Sequence, residues 1–319
     1  VYRRQARDAA RDLIKVGTRR VAKGPVVERD TTNVRLDRLP ALTCWPEDGG
    51  PFVTLPLVYT THPDRRGHNL GMYRMQVHTP RTTGMHWQIG KGGGYHYAVA
   101  EARGQRLPAT VFLGCPPALM LAAISPLPEN VPELLLASLI AGERLPQVHG
   151  HGPHPLMATA EFALIGEVPP DARQAEGPFG DHTGYYSMED PYPVFHVTCI
   201  TQRKEPIYPA ALVGRPPMED YWMGKVTERV FLPLMKLVLP EVVDINMPAE
   251  GSFHNLVIVS IKKEFPGHGK KVMHGLWGLG LMSLVKTIIV VDHNVDVHNM
   301  SEVAWRVTNN IDPSQDFVF

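Results

Sequence analysis

Apolar and polar positions along this chain fall into short runs of two kinds. FVTLPLVYTT (52–61), MYRMQVHT (72–79), LPATVFLGC (107–115), ATAEFALIGEV (158–168), FHVTCITQR (195–203) and IYPAALVGR (207–215) are rich in β-branched and aromatic residues and bounded by Gly and Pro. That pattern predicts strands of a mixed or antiparallel barrel. Helical spacing runs over 3–23, through PPALMLAAIS (116–125) behind Pro116, through VPELLLASLIAGE (131–143), near 224–238 and from about 268 to 284. LVIVSIKK (256–263) and TIIVVD (287–292) read as strands between the last helices. LPALTCWPEDGGPF (39–52), IGKGGGYHY (89–97) and HGHGPH (149–154) read as irregular or glycine-rich connections.

The order predicts a mixed α/β chain in three parts. Residues 1–50 read as a helix and linker belonging to a truncated N-terminal domain, 51–215 as a strand-rich domain, and 216–319 as a C-terminal α/β domain. The last boundary is placed in GRPPMEDYW (214–222), where two prolines interrupt helix and sheet alike.

Composition narrows the classes. With 319 residues, 44% of them hydrophobic, there is ample material for a core. Lys plus Arg and Asp plus Glu balance at 32 each, so no net field gathers nucleic acid. The longest apolar stretch, Leu276 to Val291, is broken by glycines and Lys286 and ends as a strand, so no transmembrane segment is expected. Cys44, Cys115 and Cys199 stand far apart in no metal or disulfide spacing, which fits a reducing cytoplasm. Asp8 and Asp12 in the basic first helix argue against a transit peptide, and the start at Val1 reads as a position inside a longer protein.

Signatures of serine hydrolases, zincins, P-loops and dinucleotide folds are absent. Three histidines in HGHGPH read as a surface loop, because no carboxylate or cysteine joins them. HNLGMYR (68–74) offers Asn69 as a neutral oxygen donor with Arg74 five residues on; alone, Arg74 reads equally as a surface arginine. Glu133 opens an apolar helix, where pairing with the helix dipole is the ordinary role. AEGPFGDHTGYY (175–186) sets Glu176 and Asp181 at the ends of a rigid turn, where Asp181 serves equally as a cap.

Taken together, HNLGMYR, SPLPENVPE, EGPFGDHTGYY, IYPAALVGRPPMED and IVVDHNVDV occur in the order and spacing of the UbiD-type carboxy-lyases, which the chain resembles over about residues 35–319. The resemblance implies a split β-barrel flavin domain and reversible, non-oxidative decarboxylation of an aromatic, heteroaromatic or α,β-unsaturated acid on prenylated FMN, with quinone biosynthesis as one setting. It places Arg74, Glu176 and Asp181 on the family's catalytic triad, Asp181 matching the acid that returns a proton. Glu176 and Arg74 match the ion pair that orients the site and assists cofactor maturation. A carboxyl group beside a second carboxylate and an apolar ring is expected to hold its proton to higher pH, while Arg74 keeps its neighbour ionised.

The same resemblance assigns cofactor contacts to Asn69, Tyr73, Arg74, Ile89, Gly90, Ala123, Ser125, Pro126 and Glu133. It also implies Mn2+ on Asn69 and Glu133, with K+ or Na+ beside it. The histidine usual as third ligand is replaced by Gly90; His86 and His96 flank it, and an ordinary hydrogen-bonding role is open to each. Implied partners are a carboxylic acid substrate, a flavin prenyltransferase that supplies the cofactor, and further copies of the chain in a dimer or hexamer. The rival readings are an FMN-binding protein or flavin reductase, and a non-catalytic family member.

Overall fold

The computed structural model describes residues 15–88, 92–127 and 131–319, with backbone alone at Gly280 and Leu281. The described chain divides into two compact units, one of residues up to Asp181 with Tyr185–Val213, the other of His182–Gly184 with Gly214–Phe319.

The first unit is built on a ten-stranded antiparallel sheet that curls into a half-barrel. Its strands run in the order Phe52–Val53, Met75–Thr79, Thr82–Gly84, Asp190–Gln202, Phe162–Val168, Leu107–Leu113, Leu57–Thr61, His68–Met72. Arg173–Glu176 and Arg29–Thr31 add to the long strand Asp190–Gln202. Alternation explains why the central strands read as continuous apolar runs. Along Leu107–Leu113, Leu107, Ala109, Val111 and Leu113 enter one core with Val58, Met75, Leu164 and Phe195. Phe112 faces the other way, into a second core with Leu57, Tyr59, Leu70, Leu119, Leu134 and Ile165. A sheet covered on both faces buries both sets of side chains.

The second unit holds a sheet ordered Val242–Asn246, Leu256–Ile261, Thr287–Asp292, its first pair antiparallel and its second parallel. The helix His268–Trp277 makes the crossover that the parallel pair requires. Val257, Val259 and Ile261 pack on one face and Ile258 on the other.

Several expectations change. The helix expected over 3–23 lies partly outside the described residues, and within them Thr18–Arg20 is a strand parallel to Leu145–Val148. Gly17, at φ +94°, turns the chain into that strand and bonds its N–H to Ser138 Oγ. IYPAALVGR forms no strand: Pro206 and Pro209 remove ladder donors, and the segment is anchored by the Ala211 N–H on Thr54 Oγ1 instead. The expected helix 268–284 ends at Trp277 and is followed by a separate short turn of helix, Gly280–Leu284. Within the expected glycine-rich connection stands a helix, Gly92–Glu101. Of HGHGPH, His149 and His151 are exposed as expected, but His154 is buried and bonded to Thr110 Oγ1 at 3.0 Å.

Candidate active site

The turn after Glu176 is held from outside itself. Gly177 takes φ +106°, a conformation that side chains rarely adopt, and its N–H donates to Gln76 Oε1 at 2.8 Å. The other end of the Gln76 amide donates to Gly49 O, and the Gly49 N–H to Pro178 O, each at 2.8 Å. Asp48 accepts the Gly180 N–H on one oxygen and the Cys44 and Trp45 N–H groups on the other. Trp45 packs on Gly180 so closely that a Cβ there would lie 2.2 Å from the indole. The segment that reads as irregular is therefore a clamp for the turn.

Arg74 leaves the start of the strand Met75–Thr79 and meets both carboxylates. Its Nε donates to Glu176 Oε1 and its Nη1 to Asp181 Oδ2, each at 3.0 Å. His86 Nδ1 lies 2.8 Å from the same Glu176 oxygen, and its ring stacks on Tyr192. The guanidinium rests over the buried Phe179 ring at 4.6 Å, which fixes its plane. The two carboxylates differ in exposure: the Glu176 side chain is fully buried, whereas that of Asp181 is 23% exposed. One guanidinium serves both, where the sequence suggested that it would serve one. A carboxylate sealed between a guanidinium and an imidazole is fixed in place. An accessible one on the same guanidinium is placed to exchange a proton with a bound molecule.

A second cluster forms where the strand His68–Met72 meets the helix Glu133–Ala141. Asn69 Nδ2 donates to Glu133 Oε1 at 2.9 Å, and the Leu70 N–H to Glu133 Oε2 at 3.2 Å. The Tyr73 hydroxyl donates to Asn69 Oδ1 and accepts the Gly93 N–H. Burial pushes the Glu133 carboxyl up, against the pull of its N–H donors, and pushes Tyr73 up to about 12. Gly92, at φ +51°, is required here, since a Cβ would lie 2.7 Å from the Tyr73 hydroxyl and 2.8 Å from Asn69 Oδ1. The space beside these oxygens is kept open by the absence of a side chain.

Of the other residues assigned from the sequence, Ala123 ends the helix Pro117–Ala123, and Ser125, just beyond it, donates to Leu121 O ahead of Pro126. Ile89 and Gly90 lie outside the described residues. His96 bonds Thr60 Oγ1 at 2.8 Å, and His86 belongs to the Glu176 cluster. Among the described residues no three His, Cys, Asp or Glu side chains are grouped to hold a metal ion. The residues that sequence reading missed are the supports: Trp45, Asp48, Gln76, Phe179, Ser187 and Tyr192. Of these, Phe179 stands inside the turn EGPFGDHTGYY and Gln76 two positions after Arg74.

Comparison with known proteins identifies the family. The model of the 3-octaprenyl-4-hydroxybenzoate carboxy-lyase Rift-related domain matches residues 18–216, and that of the corresponding C-terminal domain residues 221–319. An uncharacterised protein of Archaeoglobus fulgidus is 49% identical over 310 residues, covering 97% of this chain and 64% of its own length. A Chlamydia pneumoniae protein, named as one component of a 4-hydroxybenzoate decarboxylase, is 42% identical over 318 residues, with 98% of this chain and 54% of that protein covered. The chain thus spans little more than half to about two thirds of these relatives. Among solved structures, an evolved dimeric form of the UbiD-class enzyme HmfF from Pelotomaculum thermopropionicum, in complex with prFMN, superposes with a TM-score of 0.87 at 28% identity, covering 97% of this chain and 73% of that one. The vanillic acid decarboxylase of Sedimentibacter hydroxybenzoicus in closed form gives 0.87 at 26% identity, covering 96% and 67%. With one family model on the half-barrel unit and its companion on the unit that follows, this chain belongs to the UbiD carboxy-lyase family.

Proposed function

We propose that the protein is a prenylated-FMN-dependent carboxy-lyase that removes CO2 from an aromatic, heteroaromatic or α,β-unsaturated acid. The observation that carries this reading is the single Arg74 guanidinium holding a sealed Glu176 and an accessible Asp181 on one clamped turn. Decarboxylation leaves a carbon that must receive a proton, and Asp181 is the acid placed to deliver it. Glu176 and Arg74 fix the geometry against which the acid works, with His86 as a second hold on Glu176.

The chain's residues fit the cofactor at the second cluster. Asn69, Tyr73 and Glu133 present hard oxygen donors beside the space that Gly92 leaves, a donor set suited to a divalent cation paired with a phosphate. Asn69 and Glu133 would hold Mn2+, with a monovalent cation near Ser125, and residue 90, a glycine, adds no side-chain ligand. When bound, prenylated FMN supplies the electron sink for the breaking C–CO2 bond. The cofactor would come from a flavin prenyltransferase, and the protein would act as a cytoplasmic homo-oligomer, with quinone biosynthesis as one setting. No helix among the described residues is long and apolar enough to cross a membrane.

The test is to co-express the protein with a flavin prenyltransferase, identify the released small molecule by absorbance and mass, measure manganese on the same sample, and screen acids for CO2 release. Prenylated FMN with roughly one manganese per chain and CO2 from at least one acid is the expected result. Ordinary FMN, with no CO2 from any acid, would replace this reading with that of a flavin-binding protein.

A further inference from the structure

Glu176 has a second oxygen, and nothing described above holds it. Oε2 is buried without a hydrogen-bond partner among the described residues, and so is Nε2 of His78. Both atoms border one point: a Cβ added to Gly84 would lie 3.0 Å from Glu176 Oε2 and 3.2 Å from His78 Nε2. Both unsatisfied atoms close on Gly84, whose missing side chain leaves them near enough to each other for one internal water to reach both.

The backbone aims His78 there. The strand Met75–Thr79 pairs Val77 with Thr83 and Thr79 with Thr82, so His78 is the extra residue of a β-bulge directly after the Arg74 and Gln76 positions. Bulges re-aim a side chain and are frequent beside functional sites. The outer side of His78 lines a cleft of about 410 Å³ with Leu36, Asp37, Ala41 and Val77. His78 thus borders both that cleft and the neighbourhood of the buried carboxylate.

We propose that His78 is a positioning residue of the Arg74 cluster, holding the second oxygen of Glu176 through one ordered water seated over Gly84. His78 Nε2–H donates to the water, and the water donates to Oε2, while Arg74 and His86 hold Oε1. The charged group that acts on His78 is Glu176, and Asp37 lines the same cleft. Burial lowers the His78 pKa and Glu176 acts in the opposite sense, as this arrangement requires.

The role assigned to His78 rests on the carboxy-lyase reading, but its first test does not. In the protein without cofactor, NMR of labelled histidine should show His78 as the Nε2–H tautomer, titrating lower still in E176Q, where the stabilising charge is gone. A crystal structure should show a water within hydrogen-bonding distance of both atoms. An unchanged His78 titration in E176Q, or no water between the two atoms, overturns the proposal. In the loaded enzyme, H78F should lower kcat roughly tenfold at unchanged KM, and H78Q, which keeps an N–H donor, should recover most of it. Equal losses in both variants would also overturn it. Absence of CO2 release from the parent itself would instead break the carboxy-lyase reading and leave the water and the titration standing.

Discussion

Glu176 and Glu133 are two carboxylates of the same unit, both withdrawn from water, and the chain compensates them in different ways. Glu176 receives a guanidinium and an imidazole on one oxygen. Among the described residues Glu133 receives only neutral donors, the Asn69 amide and the Leu70 N–H, and burial raises its pKa. The charge of Glu176 is met inside the first cluster before any ligand arrives. Among the described residues no cation faces Glu133, and a bound metal ion would supply that charge. One cluster is finished by folding, and the other by binding.

On the proposed carboxy-lyase reading, the largest expected effect lies at the accessible carboxylate of the first cluster. Asp181→Asn keeps the shape of the side chain and removes the acid, so turnover should fall by about 100- to 10,000-fold, while the amount of bound flavin is unchanged. Stopped-flow or CO2-release assays on cofactor-loaded protein measure the first, and absorbance the second. Loss of flavin in step with activity would mean that Asp181 supports the fold of the turn.

Next comes the internal compensation. Arg74→Met leaves the Glu176 carboxylate buried beside His86 alone, and removing one partner of a buried pair costs roughly 3–5 kcal/mol. Urea unfolding of the cofactor-free protein should show that loss. The double variant R74M/E176L, which strands no fully buried charge and leaves only the partly exposed Asp181 without its guanidinium, should recover much of it. If R74M unfolds at the parent's urea midpoint, Glu176 is not compensated by Arg74.

The same contrast shows what could be read from the chain. The central strands were legible because a sheet covered on both faces turns Leu107–Leu113 and Phe162–Val168 into unbroken apolar runs. The helix Gly92–Glu101 was not, because its opening glycines carry no periodic signal, and the amphipathic spacing of the first residues concealed the strand Thr18–Arg20. Arg74, Glu176 and Asp181 stood out by motif, and the structure brings them together. Their supports did not stand out. Trp45 and Asp48 act on the turn from more than a hundred residues away, and the aim of His78 depends on a bulge that only strand pairing reveals.

A third effect concerns the neutral side of the molecule. His96 bonds Thr60, which pairs across the ladder with Asn69, and His154 is bonded to Thr110. Burial lowers both histidines to about 4. The unfolded chain therefore takes up more protons than the folded one between about pH 6.5 and 4, so stability is full above that window and falls as pH drops through it. Each histidine should account for on the order of 2–3 kcal/mol between neutral pH and pH 4. Melting curves of H96Q and H154Q should lose less over this range than the parent, and equal losses in all three would place the acid sensitivity elsewhere.

The smallest effect tests the unfinished cluster directly. Because the folded protein raises the Glu133 pKa, the folded state binds that proton more tightly than the unfolded chain. The resulting stability is present below the ordinary glutamate range and is lost as pH rises through the folded value. Glu133→Gln keeps the shape, carries no charge and titrates nowhere. The cofactor-free variant should match or exceed the parent at neutral pH, by about 1 kcal/mol at most, and lose its advantage in acid, the reverse of what Arg74→Met does. The same variant should bind Mn2+ more weakly, which calorimetry on the cofactor-loaded protein measures. A strongly destabilised E133Q would show that Glu133 is already compensated in the free fold, and the difference between the two carboxylates would disappear.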